Sequence, residues 1–305
     1  MILAMLTGCI LDATVGGCGD AGACEQVERF EQTMSLDLLL VIDGSPSMAD
    51  DHQRLSEALP ALVAPLVQPA FDVHLGVLSM DMTLAPGVLQ QVDGRRWADA
   101  SQGEQAASAW LASAALVPTT SGADERGLGA VVAALADSAP AEDAGFRRAS
   151  APLSLLFLSD EDDASEVELS SFAELVTAGQ PGLLAAHAIV PVDTVCTTVV
   201  GDRYVELAAR TGGAVLSICE PSHGPFLSAI AQLEALRGRR DNYALAASAR
   251  PGSVSVTITP PNDEPYLLQP DDFALARDGA ELVLRTLPPP PGSELEVRYQ
   301  TASAL

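Results

Sequence analysis

Residues 36–48, LDLLLVIDGSPSM, constrain the fold more than any other stretch. Leu38 to Ile42 are five consecutive apolar residues ending in β-branched Val41 and Ile42. A run of this kind reads as a strand buried on both faces, as in a parallel sheet. It stops abruptly at Asp43, Gly44, Ser45, Pro46 and Ser47. One carboxylate and two hydroxyls therefore stand at alternate positions where a parallel strand would leave its sheet, the edge at which open α/β sheets place ligands. Asp43, Ser45 and Ser47 are all oxygen donors, a set that suits a hard divalent cation.

A second stretch repeats the pattern. Leu153 to Leu158 is another buried strand, and Ser159, Asp160, Glu161, Asp162 and Asp163 follow it. From Asp160 to Glu168 there are carboxylates and no base. An acidic run is ordinarily a solvated loop, but carboxylates this dense repel one another unless a cation or Arg is near. Their position at a strand's carboxyl end points to metal.

Between and after these strands, strand and helix patterns alternate. Residues 71–79 read as a strand, 88–92 as a short edge strand and 94–103 as a loop. Helices are expected at 49–66 (with a kink or stop near Pro60 or Pro65), 104–115, 128–135, 168–178, 202–211 and 226–236. Asp202 is expected as an N-cap, and Gly212-Gly213 as a helix end. Strands are expected at 183–190 and 214–219. The alternation defines a doubly wound, mostly parallel Rossmann-like sheet. Past Arg237-Gly-Arg-Arg-Asp241 the pattern changes to short alternating runs punctuated by Pro and Gly, which predicts a small all-β, sandwich-like domain of about five strands. The expected division is a signal segment at 1–9, a tether at 10–33, the α/β domain at 34–237 and the β domain at 241–305.

Composition closes off several functions. The net charge of −25 argues against a nucleic-acid partner. All 16 basic residues are Arg, which removes a P-loop lysine and every Schiff-base mechanism. No HExxH or G-x-S-x-G motif surrounds the candidate residues, and the 4 His do not cluster in sequence. Asp43 after an apolar strand is compatible with an aspartyl-nucleophile hydrolase, but such enzymes want a second Asp where Ser45 stands. The expectation is therefore a protein that is not an enzyme. A metal-dependent hydrolase using the acidic edge, or a structural module with a vestigial metal site, are the alternatives.

The N-terminus, MILAMLTGC, resembles a bacterial lipobox, with Cys9 as the lipidated residue. No basic n-region precedes it, so a few residues are expected before Met1. The residue after Cys9 is Ile10 rather than Asp, which by the same resemblance implies outer-membrane localisation. Removing Cys9 from the 5 cysteines leaves an even number. Proximity in sequence pairs Cys18 with Cys24 and Cys196 with Cys219.

With Asp43-Gly-Ser45-Pro-Ser47 after one buried strand and Ser159-Asp160 after another, residues 36–237 resemble a von Willebrand factor A domain with a metal-ion-dependent adhesion site. The DERGL and SDEDD phrases, with RYVELAARTGG, resemble a bacterial lipoprotein subgroup of that family. The resemblance implies Mg²⁺ or Ca²⁺ held by Asp43, Ser45, Ser47 and Asp160. It also implies metal-dependent adhesion or protein interaction, in which a protein partner can offer a carboxylate to an open coordination position. The family's third contributor is a Thr before a helix. Here Thr120, Ser121, Asp124 and Glu125 all fall in the comparable loop, and a carboxylate there would favour calcium. Asp162 and Asp163 have no assigned family counterpart and read equally as a second calcium site or a solvated loop.

Overall fold

The computed structural model describes residues 10–18, 24–83, 86–119, 125–135 and 145–301. The chain divides into two compact units, an α/β unit of residues 35–238 and a β unit made from residues 1–34 together with 239–305.

The β unit takes its first strands from the N-terminus. β1 (Ile10–Cys18) and β2 (Cys24–Glu31) form an antiparallel hairpin with Cys18 opposite Cys24, and Cys24 is disulfide-bonded. This corrects the expected tether at 10–33. The strand β2 is hidden in sequence because the inward-facing Glu28 within it and the buried Gln32 just past its end are polar. Glu28 and Gln32 are fully buried on either side of buried Phe30, so the apolar alternation that marks a strand is lost. Both polar groups have partners. Glu28 accepts from the Ala246 amide at 3.0 Å and from the Tyr299 hydroxyl. The Gln32 amide donates to Arg240 O at 2.9 Å.

The chain then builds the α/β unit. Its elements are β3 (Met34–Ile42), α1 (Ala49–Val63), β4 (Phe71–Ser79), β5 (Trp97–Asp99), α2 (Glu104–Ala114), α3 (Gly127–Leu135), β6 (Leu153–Leu158), α4 (Leu169–Val176), β7 (Leu184–Val190), α5 (Asp202–Thr211), β8 (Val215–Ser217) and α6 (Gly224–Arg237). The sheet order is β5-β4-β3-β6-β7-β8, the doubly wound order that runs outward from the first strand in both directions. β3, β6, β7 and β8 pair in parallel, and β5 closes the edge antiparallel to β4. One face of the sheet, with Leu39, Val41, Leu155, Phe157 and Ala188, shares a core with α3, α4 and α5. On β3 the alternate residues Leu38, Leu40 and Ile42 are equally buried, and α1 packs with α2 and α6. Burial on both faces is why β3 and β6 are continuous apolar runs rather than alternating ones.

Local chemistry explains two departures from expectation, at the edge strand and at the N-cap of α5, and one expectation met, the helix stop near Pro65. The edge strand is Trp97–Asp99, not residues 88–92, because Asp93 and Gly94 take positive φ and turn the chain so that Val92 bridges Arg95. Pro60 lies inside α1 without ending it, and the helix gives way to a 3₁₀ turn at Ala64–Leu66, which contains Pro65. The N-cap of α5 is Gly201, with Asp202 in the first turn where its charge suits the helix dipole. At the other end of α5, Gly212 is left-handed (φ 69°). A Cβ on the next residue, Gly213, would collide with the backbone carbonyl of Ala186, so this turn tolerates no side chain there.

The remaining strands complete the β unit: β9 (Asn242–Ala244), β10 (Ser255–Thr259), β11 (Tyr266–Leu267), β12 (Phe273–Ala276), β13 (Glu281–Leu284) and β14 (Glu294–Gln300). They form sheets ordered β1-β2-β14-β10-β11 and β12-β13-β9. Phe30, Val256, Ile258, Leu295 and Val297 from the first share one core with Tyr243, Leu282 and Leu284 from the second. This is a sandwich, as expected, but one that the N-terminal strands help to build. No helix among the described residues is long and apolar enough to cross a membrane.

Candidate metal site

The site is laid out by strand register. β3 and β6 run parallel with Ile42 beside Leu158, so Asp43 and Ser159 leave the sheet side by side. The Asp43 amide donates to Leu158 O at 3.0 Å, and the Ser159 amide to Ile189 O at 3.3 Å. Asp43 is fully buried. Its Oδ1 accepts from the Ser45 amide at 2.7 Å and its Oδ2 from the Ser159 hydroxyl at 2.7 Å. The Ser45 and Ser47 hydroxyls are 2.9 Å apart, and Ser47 acts on Asp160 against its upward shift. Asp43, Ser45 and Ser47 are thus linked by hydrogen bonds along the carboxyl edge, with Asp160 beside Ser47. Gly44 allows this tight turn, since a Cβ there would lie 2.9 Å from Pro118 O.

Glu125 reaches the same edge from the segment before α3. The Ala164 amide donates to Glu125 O at 2.8 Å, and the Arg126 amide to Met80 O at 3.4 Å. Glu125 is 2% exposed, and its Oε2 is buried without a hydrogen-bond partner. Burial above all, then the Asp43 and Glu161 charges, push its pKa up to about 8. Asp160 is also shifted upward, by burial and by Asp43, with the Ser47 hydroxyl working against the shift. The Oδ1 of Asp160 is likewise buried and unbonded. Asp81, 4% exposed at the end of β4, adds a further charge that acts on Glu125.

Asp162 and Asp163 serve a different purpose. The Leu128 amide at the start of α3 donates to Asp163 Oδ1 at 3.0 Å, and Arg203 Nε donates to Oδ2 at 3.0 Å. The Arg203 amide in the first turn of α5 donates to Asp162 Oδ1 at 2.9 Å. Both bond the first turns of helices, and both oxygens of Asp163 are engaged, Oδ1 by Leu128 and Oδ2 by Arg203 and Ser165. The other expected candidates for the middle position, Thr120, Ser121 and Asp124, lie outside the described residues, as does Cys9.

The donors present fit a hard divalent cation. They are all oxygens, two are neutral hydroxyls, and two buried carboxylate oxygens have no other partner. Among the described residues no three His, Cys, Asp or Glu side chains form a metal cluster by themselves, so any such site depends on the serines. In the sequence Ser159 stands out only as part of the Ser-Asp pattern after a buried strand; its bond to Asp43 is a consequence of register. His52, the histidine nearest in sequence, bonds the Asp43 carbonyl oxygen at 2.6 Å through Nε2.

No family model and no curated protein matches the chain. Similar solved structures include a von Willebrand factor type A protein from Catenulispora acidiphila, with 13% identity, TM-score 0.43 and coverage of 97% of this chain and 66% of that one. The pilus adhesin SpaC from Lactobacillus rhamnosus GG in its open conformation shows 10% identity and TM-score 0.41, covering 94% of this chain and 42% of that one. The ArnB paralog VWA2 from Sulfolobus acidocaldarius shows 11% identity and TM-score 0.40, covering 96% and 63%. The chain spans less than two thirds of the length of each. By its own strand order and antiparallel edge strand, the α/β unit has a doubly wound, mostly parallel Rossmann-like fold, with the D-x-S-x-S turn at its carboxyl edge.

Proposed function

We propose that the carboxyl edge of the α/β unit binds a divalent cation, Mg²⁺ or Ca²⁺, and that the protein engages a protein partner through it without being an enzyme. The observation that carries this reading is the pair of buried, unbonded carboxylate oxygens on Asp160 and Glu125, both acted on by the Asp43 charge. Leaving such groups unpaired is costly, and a cation would satisfy both. Asp160, Glu125, Ser45 and Ser47 would hold it, and Asp43 would do so directly or through water. When bound, the cation supplies a positive charge with a coordination position open to a partner's oxygen.

Two features of the edge argue against the hydrolase alternative. Both carboxylate oxygens of fully buried Asp43 are engaged by Ser45 and Ser159, which is unfavourable for a nucleophile. The His52 ring is committed to a backbone carbonyl instead of Ser45 or Ser47. Isothermal calorimetry with Ca²⁺ and Mg²⁺ on the wild type and on the Ser45→Ala/Ser47→Ala double variant tests the metal. A metal-dependent heat lost in the variant is expected, and no heat in the wild type would sink the reading. Turnover of a phosphoester panel, lost in Asp43→Asn, would instead favour the hydrolase.

The lipobox-like N-terminus supports, in this reading, anchoring at a bacterial outer membrane through a lipid on Cys9. Globomycin-sensitive processing with acylation at Cys9 is expected, and secretion of the unprocessed chain would refute the anchor.

A further inference from the structure

Glu125 is held at the metal edge by more than its own backbone. The N-terminus of α3 docks on the loop after β6 through Leu128 to Asp163 at 3.0 Å, Gly129 to Ser165 Oγ at 3.2 Å, and the Ala164-to-Glu125 bond at 2.8 Å. This clamp fixes the Glu125 carboxylate at 2% exposure with one oxygen unpartnered. The strongest charge acting on it is Asp43, followed by Glu161. Asp43 and Asp160 would offset a divalent cation's charge by themselves. Glu125 is a third carboxylate, and Asp81 and Glu161 surround it.

Resting on the divalent-cation reading above, we infer that a cation at this edge is charge-saturated, so that it favours Ca²⁺ over Mg²⁺ and presents its open position to water or a neutral oxygen, not to a partner's carboxylate. The charges of Asp43, Asp160 and Glu125 along the edge outweigh that of a divalent ion, and a further carboxylate would be repelled at short range. Ca²⁺ accepts six to eight oxygens in flexible geometry, with carboxylates mono- or bidentate. Mg²⁺ demands near-octahedral ligation, dehydrates reluctantly and is usually held by one or two carboxylates. A partner suited to this edge therefore offers carbonyl or hydroxyl oxygens with neutral or cationic neighbours.

The test is calorimetry on the full chain with Ca²⁺ and Mg²⁺, followed by titration of glutarate into the metal-loaded protein. The proteins are the wild type, Glu125→Thr and Glu125→Gln, the last keeping the side-chain shape without its charge. The wild type is expected to prefer Ca²⁺ by about tenfold or more and to give no glutarate heat. Both variants are expected to lose about tenfold in Ca²⁺ affinity, to bind Mg²⁺ nearly as well, and to gain a saturable, metal-dependent glutarate signal. Wild-type protein that binds Mg²⁺ as tightly as Ca²⁺, or metal-loaded wild type that takes up glutarate as the variants do, overturns the inference while leaving the metal site standing. No metal heat in any of the three proteins overturns the metal reading itself, and the inference with it.

Discussion

The Ser159 hydroxyl donates to the buried carboxylate of Asp43 at 2.7 Å, joining residues 116 apart in sequence. The bond exists because β3 and β6 are parallel neighbours in register, so their first residues beyond the sheet meet. Ser159→Ala leaves Asp43 Oδ2 buried without its donor and should cost about 1–3 kcal/mol of stability. Urea denaturation of the wild type and variant measures it. An unchanged midpoint and slope would show that water replaces the hydroxyl at no loss.

Metal binding should compete with a proton on Glu125. With its pKa near 8 in the fold and 4.5 as its ordinary value, this group favours the folded state below the ordinary value and loses that contribution as pH rises through about 8. A cation requires the carboxylate, so binding near neutral pH should release a proton, and affinity should climb as pH rises from about 6 to about 8. Calorimetry in buffers of different ionisation enthalpy counts the proton, and Glu125→Gln should lower the count. The same count in wild type and Glu125→Gln would remove Glu125 from the exchange.

Asp37 tests the fold independently of the metal edge. It lies near the start of β3, fully buried, with Arg148 Nε on Oδ1 at 2.8 Å and Arg147 Nη1 on Oδ2 at 2.9 Å. Asp37→Ala leaves half-buried Arg147 without this counter-charge and Arg148 with only that of Asp72, and should cost about 3 kcal/mol. Because β3 separates Asp37 from the carboxyl edge, metal affinity of the folded variant should not change. A loss of affinity at full folding would show that the two ends of the strand are coupled.

His223, at the N-cap of α6, should give the protein an acid-sensitive step. It is 1% exposed, and neither ring nitrogen has a hydrogen-bond partner. Burial first, then the Arg54 charge, lowers its pKa from 6.5. The unfolded chain therefore takes up this proton before the folded one does. The group's contribution is intact above 6.5 and is lost as pH falls through the lower folded value. Denaturation between about pH 7.5 and about pH 5 should show stability falling, with a shallower slope in His223→Leu. Identical slopes would assign the acid sensitivity elsewhere.

The parts of the molecule that were legible in the sequence are those whose chemistry is local. Two strands buried on both faces must be unbroken apolar runs, so β3 and β6 could be read directly, with the oxygen-rich turns that end them. The Cys196–Cys219 disulfide, with its Cα atoms 5.8 Å apart, joins the pair that proximity had suggested. The strand β2 was not legible, because Glu28 and Gln32 sit where apolar residues would have shown the alternation. Nor was the short edge strand at Trp97, whose pairing is set by a turn and by β4.

The sequence by itself determined that an α/β sheet would end in oxygen donors after its first strand, because buried runs and turn residues are properties of neighbouring positions. Only the tertiary structure decided which donors meet. Parallel register brought Ser159 to Asp43, and the docking of α3 on the loop after β6 brought Glu125 to Asp43. The same docking turned Asp162 and Asp163 to capping helices. Each of these is a pairing between distant segments, fixed by backbone bonds and burial that no local pattern encodes.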